Sequence, residues 1–263
     1  MSARSQLRSD LASAMTGVGG GLKAADRLCA ACVRLLPVDG AAVSIITSGT
    51  TRGTFGSSSE LSRRIDEFQF TFGEGPCLDA VAARGPIFAT DLDDPHEQRW
   101  PAFTPAVLAS GVRAVFAFPT TIATMYSGVL DLYRTTPGPL SPYATDGALW
   151  AAELAALPML DLMSTETDWA AAAEGEGDGD SWSELGSLER VEVYQATGMI
   201  MSQLDLPPAE ALARLRAHAF MSGRTASDVA WDIVERRLRL DSDDSSGSDD
   251  DGPTNSPRGL PGR

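Results

Sequence analysis

Apolar positions in the first part of the chain repeat with two different periods. Leu22, Ala25, Leu28, Cys29, Cys32, Val33 and Leu36 return every three or four places, the spacing of a helix with one buried face, and Pro37 stops it. Residues 41–47 read as a strand. Helical spacing resumes over 59–70 until Gly73-Glu-Gly-Pro76 breaks it, and a short helix then runs to about residue 84. A strand at 86–89, an acidic loop carrying Asp91, Asp93 and Asp94, and a helix at about 102–110 follow. Residues 112–118 and 128–133 are strongly apolar strands, each followed by a turn containing proline, and a helix is predicted over 142–163. The last two strands lie too close together for a parallel crossover, so they pair antiparallel. The expected domain is α/β, with a mixed, largely antiparallel sheet flanked by helices.

The pattern changes after residue 163. Residues 164–183 are rich in Ala, Gly and acid, a composition that buries little and behaves as a linker. Residues 184–204 contain no proline and support one long helix, which Pro207 and Pro208 stop. Pro208 suits the first turn of a second helix, with Glu210 placed well against its dipole and Ala211, Leu212, Leu215 and Ala219 as its apolar stripe. Gly223 ends that helix. Thr225 and Asp228 have the spacing of a capping box, and Val229, Ile233, Val234 and Leu238 give a third helix its inner face. The domain reading is a flexible N-terminus at 1–20, the α/β domain at 21–163, an acidic linker at 164–183, an all-α three-helix module at 184–240, and a disordered acidic tail at 241–263.

Charge changes this picture in one respect. The chain has 36 acidic and 21 basic residues, a formal net charge of −15, so it cannot coat nucleic acid or an anionic membrane indiscriminately. Residues 164–189 hold eight acids and no bases, and 241–263 hold six acids and two bases. Linker and tail thus account for most of the acidity. Residues 207–240 carry six Arg against four acids, which leaves a modest basic face on the helical module. No apolar run is long enough to cross a bilayer and no signal-peptide pattern opens the chain, so a cytoplasmic location is expected.

The order of residues in the helical module resembles the ANTAR family: Val193-Tyr-Gln-Ala-Thr-Gly-Met-Ile-Met201, then Pro208-Ala-Glu-Ala-Leu-Ala-Arg-Leu-Arg216, then Asp228-Val-Ala230. Upstream, Gly73-Glu-Gly-Pro-Cys-Leu-Asp-Ala80, Arg99-Trp-Pro-Ala-Phe103 and Gly128-Val-Leu-Asp-Leu-Tyr-Arg134 resemble a GAF domain of the kind joined to ANTAR modules in actinobacteria. The resemblance implies a transcription antitermination regulator. A GAF-like domain would sense an unknown signal, a small molecule or a signalling protein, and an ANTAR homodimer would bind paired hairpin loops in leader RNA. Loop bases can be read by a few donors and flat surfaces, because the A-form major groove admits no side chain. Gln195, Thr197, Gly198, Arg214, Arg216 and Arg224 are the RNA-contact candidates. Thr197 stands where many relatives carry Lys, and Pro207 stands where a Ser normally caps the second helix. Tyr194 and Met199 are expected to fill the core, and the Arg residues at 236, 237 and 239 to sit favourably at a helix C-terminus.

Cys29-Ala-Ala-Cys32 lies inside an amphipathic helix with no second cysteine pair, and His96 and His218 fall in different modules, so a zinc site is not expected. Cys77 follows Gly-Pro at a turn and is either a packed side chain or a redox-responsive thiol. No nucleophile–base arrangement or phosphate loop is visible, and neither an enzyme nor a cofactor is expected. Two other functions fit three short helices: a DNA-binding regulator, or a scaffold whose helical module only dimerises. Leu188 and Val191 could open a dimer seam, which Gln195 and Gly198 interrupt.

Overall fold

A computed structural model of the chain describes residues 2–16, 21–47, 50–123, 126–167 and 190–240. The acidic tail, nearly all of the linker and the first part of the long helix expected from residue 184 lie outside the described residues.

The N-terminal domain runs α1 (Ala3–Ala14), α2 (Leu22–Leu35), β1 (Gly40–Thr47), β2 (Thr50–Ser57), α3 (Glu60–Phe72), α4 (Pro76–Ala83), β3 (Ile87–Ala89), α5 (Phe103–Ala109), β4 (Ala114–Ala123), β5 (Tyr126–Arg134) and α6 (Pro142–Thr167). The five strands form one sheet in the order β2-β1-β5-β4-β3, and every neighbouring pair is antiparallel.

Alternation along the strands sorts side chains into two layers. Val43, Ile45, Phe116, Phe118, Leu130 and Leu132 face α1, α2 and α6. Ala42, Val115 and Tyr133 face α3 and α5, while Ile46, Ala117 and Val129 meet α4. The sheet is therefore covered on both sides, which explains why its central strands read as nearly continuous apolar runs.

Three expectations for this domain are corrected. The first residues are not a flexible N-terminus: α1 is capped by the Ser2 side chain and buries Leu7 and Leu11. Gly147 on α6 accommodates it, since a Cβ there would lie 2.8 Å from Leu7 Cδ2 and 2.7 Å from Leu36 Cδ2. Strand β2 was not foreseen, because Thr-Thr-Arg-Gly-Thr-Phe-Gly-Ser carries one large apolar residue, Phe55. Finally, α6 continues to Thr167, so the helix extends into the segment read as linker.

The motifs in the GAF-like region act largely by holding loops. Glu74 Oε1 accepts the Ala102 and Phe103 backbone N–H groups at 2.6 and 2.9 Å, and so satisfies the N-terminus of α5. Trp100 donates its indole N–H to Asp79 at 3.0 Å, packs edge-on against Phe103, and carries the Arg99 guanidinium 4.3 Å from its ring centroid. The Gly73–Ala80 and Arg99–Phe103 segments are thereby fastened to each other.

The C-terminal module contains α7 (Val191–Leu204), α8 (Pro208–Met221) and α9 (Ala226–Val234). Its core is Val193, Ala196, Ile200, Ala211, Leu215, Ala219, Val229, Ala230 and Ile233. The capping box at α9 is present, with Thr225 accepting from Asp228 N and Asp228 accepting from Thr225 N. No helix among the described residues is long and apolar enough to cross a membrane.

Candidate nucleic-acid interface

Helical spacing divides α7 into an inner and an outer face. Val193, Ala196 and Ile200 point into the three-helix core, while Tyr194, Gln195 and Gly198 point out. Gln195 is exposed, and a Cβ at Gly198 would meet nothing within 4 Å. Gly198 is thus not required by helix packing here, and it leaves the outer face of α7 open to close approach.

Two residues sit differently from expectation. Thr197 is only 9% exposed, and its hydroxyl donates to the Val193 carbonyl at 2.7 Å. This bond back to residue i−4 uses its only donor within the helix. Tyr194, expected in the core, is 65% exposed, because the period of α7 gives the inner positions to its neighbours at 193 and 196. Met199 does pack against the core. If this face binds RNA, replacement of Thr197 by Val should leave the affinity unchanged within about twofold, since a lost charge-free contact of about 1 kcal/mol would weaken it more. A tenfold loss in a gel shift would return Thr197 to the interface.

The arginines separate into three situations. Arg214 is exposed on α8 with no ion pair among the described residues. Arg224 donates to Asp232 at 2.7 Å and to the Asp228 carbonyl at 2.9 Å, so its guanidinium braces α9. Arg216 turns toward the N-terminal domain, where its Cζ lies 4.6 Å from the Phe70 ring centroid. Arg190 shares that ring at 4.2 Å and reaches Glu67 at 3.8 Å. Arg236 and Arg237 lie past the end of α9, which stops at Val234, and Arg237 pairs with Asp232 at 2.7 Å. Arg236 and Arg237 follow the Glu235 cap directly, and their backbone N–H groups bond to the Ile233 and Asp232 carbonyls that end α9.

Phe70 was read as the last residue of its own domain's helix, yet its side chain belongs to the core of the other module. Around it, Phe72 meets Phe220 edge-on at 5.7 Å, and Ala226 N donates to Thr71 Oγ1 at 2.9 Å. The end of α3 is thus a plug against α8 and the start of α9. The fit is imperfect in its polar part. Arg216 Nε, Arg190 Nε and one Arg190 terminal nitrogen are buried without hydrogen-bond partners. Burial, and then the neighbouring Arg190 charge, lower the Arg216 pKa from the usual arginine value. Sequence could have flagged Phe70 only through the doubled Phe70–Phe72 apolar positions at the end of a helix already supplied with Ile65 and Phe68.

Cys77 is fully buried beneath the sheet, as are Cys29 and Cys32 on its other side. Burial raises the Cys29 thiol well above the ordinary range and the Cys32 thiol to about 12. Neither is a thiolate near neutral pH.

Comparison with known proteins matches residues 188–234 to the ANTAR domain. Searching the curated proteins finds no match. Among solved structures, the N-terminal part is similar to the GAF domain of a phosphoenolpyruvate-protein phosphotransferase from Coxiella burnetii (12% identity, TM-score 0.48, covering 62% of this chain and 96% of that one). It is also similar to the GAF domain of the Acinetobacter phosphoenolpyruvate-protein phosphotransferase (10%, 0.45, 68% and 100%) and to a free methionine-R-sulfoxide reductase from Thermoplasma acidophilum (15%, 0.40, 61% and 96%). The strand order and the two helical layers described above carry the assignment of the N-terminal fold. The chain thus carries an ANTAR domain match at residues 188–234, behind an α/β domain with a five-stranded antiparallel sheet that is similar in fold to GAF domains.

Proposed function

We propose that this chain is a transcription antitermination regulator whose ANTAR domain binds paired hairpin loops in leader RNA under the control of the GAF-like domain. ANTAR domains are RNA-binding antitermination modules and GAF domains are sensors. The observation that carries the reading is the ANTAR match over 188–234, together with the open outer face of α7 at Gln195 and Gly198 and the exposed Arg214 on α8. Gln195 offers base-edge hydrogen bonds, Gly198 allows close approach, and Arg214 and Arg216 supply charge-assisted contacts to phosphate or base. Arg224, held by Asp232, contributes by fixing α9 rather than by free contact.

Arg216 gives the sensory domain a means of control. While α3 is docked, the Arg216 guanidinium stacks on Phe70 and is withheld from RNA; undocking exposes it. The three buried N–H-bearing nitrogens without acceptors make the docked state costly, and RNA oxygens would satisfy them. A signal that shifts α3 need supply only a small difference in affinity between docked and undocked states.

The functional unit in this reading is a homodimer. Val191 and Tyr194 are exposed apolar positions on α7 and extend the seam expected from Leu188. Gel shifts comparing paired-hairpin RNA, single-hairpin RNA and duplex DNA test the proposal. Preference for the paired hairpin supports it; equal binding of duplex DNA identifies a DNA regulator, and no binding in any form a scaffold. Light scattering that shows a monomer both free and RNA-bound removes the dimer.

A further inference from the structure

Between the sheet and helices α3 and α4 lies a nest of buried polar groups outside the candidate nucleic-acid interface. Asp66 on α3 and Asp131 on β5 are both 0% exposed, and Cys77 at the start of α4 is equally buried. One ligand-type atom from each of the three lies within 4.8 Å of the others. Two carboxylates in an apolar interior carry a large desolvation cost unless a cation or a proton meets them. No ion-pair partner reaches either one among the described residues.

The hydrogen bonds around the nest hold most of its carboxylate oxygens as acceptors. Asp66 accepts from the Ser44 hydroxyl and, at 2.6 Å, from the Thr54 hydroxyl, so both of its oxygens are held as acceptors. Gln69 is fixed in orientation because its Oε1 accepts the Cys77 backbone N–H at 2.8 Å; its amide nitrogen then donates to Asp131 Oδ2 at 2.6 Å. Gly75, at φ +142°, leaves room for this, since a Cβ there would lie 2.6 Å from Gln69 Oε1. Only Asp131 Oδ1 remains to take a proton. That atom is buried and has no hydrogen-bond partner among the described residues, so it is open to an incoming cation. The Tyr133 hydroxyl, two residues along the same face of β5, is likewise buried without a partner.

We propose that Asp66, Cys77 and Asp131 form a binding site for a divalent first-row transition metal ion. A thiolate with two carboxylates suits a borderline ion such as zinc, iron(II) or cobalt(II). Metal–oxygen bonds of about 2.1 Å and a metal–sulfur bond of about 2.3 Å place ligand atoms roughly 3.5 Å apart, so loading would draw the three ligand atoms closer together. The ion would neutralise the paired carboxylates and occupy the open valence of Asp131 Oδ1. Ser44, Thr54 and Gln69 are the outer partners that aim the ligands. The site also lies on α3 and at the turn that ends it, so loading it would bear on the helix that carries Phe70.

Cobalt(II) added to the reduced full-length chain under anaerobic conditions tests the assignment. Expected are one cobalt per chain after dialysis, a sulfur-to-cobalt charge-transfer band in the near ultraviolet, and a raised melting temperature. Cys77→Ser should lose the band, and Asp131→Asn should lose the bound cobalt. A Cys29→Ala, Cys32→Ala double variant should keep both. Metal-free Asp131→Asn should show the same circular dichroism spectrum and a cooperative melting transition like metal-free wild type; this shows that its loss of cobalt is not loss of fold. Failure of the folded wild-type chain to retain cobalt overturns the proposal, as does a charge-transfer band that survives Cys77→Ser and Asp131→Asn.

Discussion

Full-length protein carrying Phe70→Ala should bind paired-hairpin RNA more tightly than wild type. Phe70 is the ring on which Arg216 and Arg190 stack, and it packs into the ANTAR core rather than its own. Removing it deletes two cation–π contacts and the buried ring that joins the domains, together worth roughly 2 kcal/mol at a partly desolvated site. If docking hides the RNA-competent state, releasing that energy should raise apparent affinity by about 30-fold. Arg216→Ala should lower affinity, and the double variant should resemble Arg216→Ala alone, because the gain from undocking depends on freeing that guanidinium. Gel-shift titrations of the three variants decide the matter. Unchanged affinity in Phe70→Ala, with the protein folded, would mean that the α3 plug is a fixed domain contact and not a gate.

Trp100→Ala should cost the N-terminal domain roughly 3 to 5 kcal/mol, the range for truncating a fully buried large aromatic. Trp100 fills the layer under α3 and α5, donates to Asp79, and stacks with Phe103 and Arg99. The resulting cavity cannot collapse easily, since Glu74 still ties the following loop through the Ala102 and Phe103 N–H groups. Urea unfolding followed by circular dichroism measures the loss. Trp100→Phe, which keeps much of the ring but not the N–H donor, should recover most of it. Equal losses in the two variants would show that the indole hydrogen bond, rather than the volume, holds the loop.

Local periodicity settled much of this architecture. Leu22 to Leu36 spaced at three and four could only be an amphipathic helix, the strands at 112–118 and 128–133 were dense enough in branched and aromatic residues to be found, and Pro208 with Thr225 and Asp228 marked the ends of the ANTAR helices. These signals are readable because each depends on residues within one or two turns of one another. The N-terminal helix and β2 were not readable. Leu7 and Leu11 are the only two leucines in a largely polar segment, and they become core solely because α2 and α6 offer a surface. Thr50–Ser57 pairs with β1 although it lacks an alternating pattern, because β1 needs a partner on its free edge.

The candidate site divides in the same way. The sequence by itself determined that an ANTAR-like module exists, that Gln195, Thr197 and Gly198 are contact candidates on its first helix, and that basic residues concentrate within 207–240. Tertiary structure decided what those residues are free to do. Thr197 spends its hydroxyl on the Val193 carbonyl, Arg224 is held by Asp232, and Arg216 is taken up by Phe70, which lies 146 positions earlier in the chain. The nest of Asp66, Cys77 and Asp131 is likewise assembled from three separate elements. Helical and strand periods report which side of an element is buried, because burial repeats along one segment. They carry no record of which distant side chain covers a given guanidinium or carboxylate, since that is fixed only when the packed layers bring the segments together.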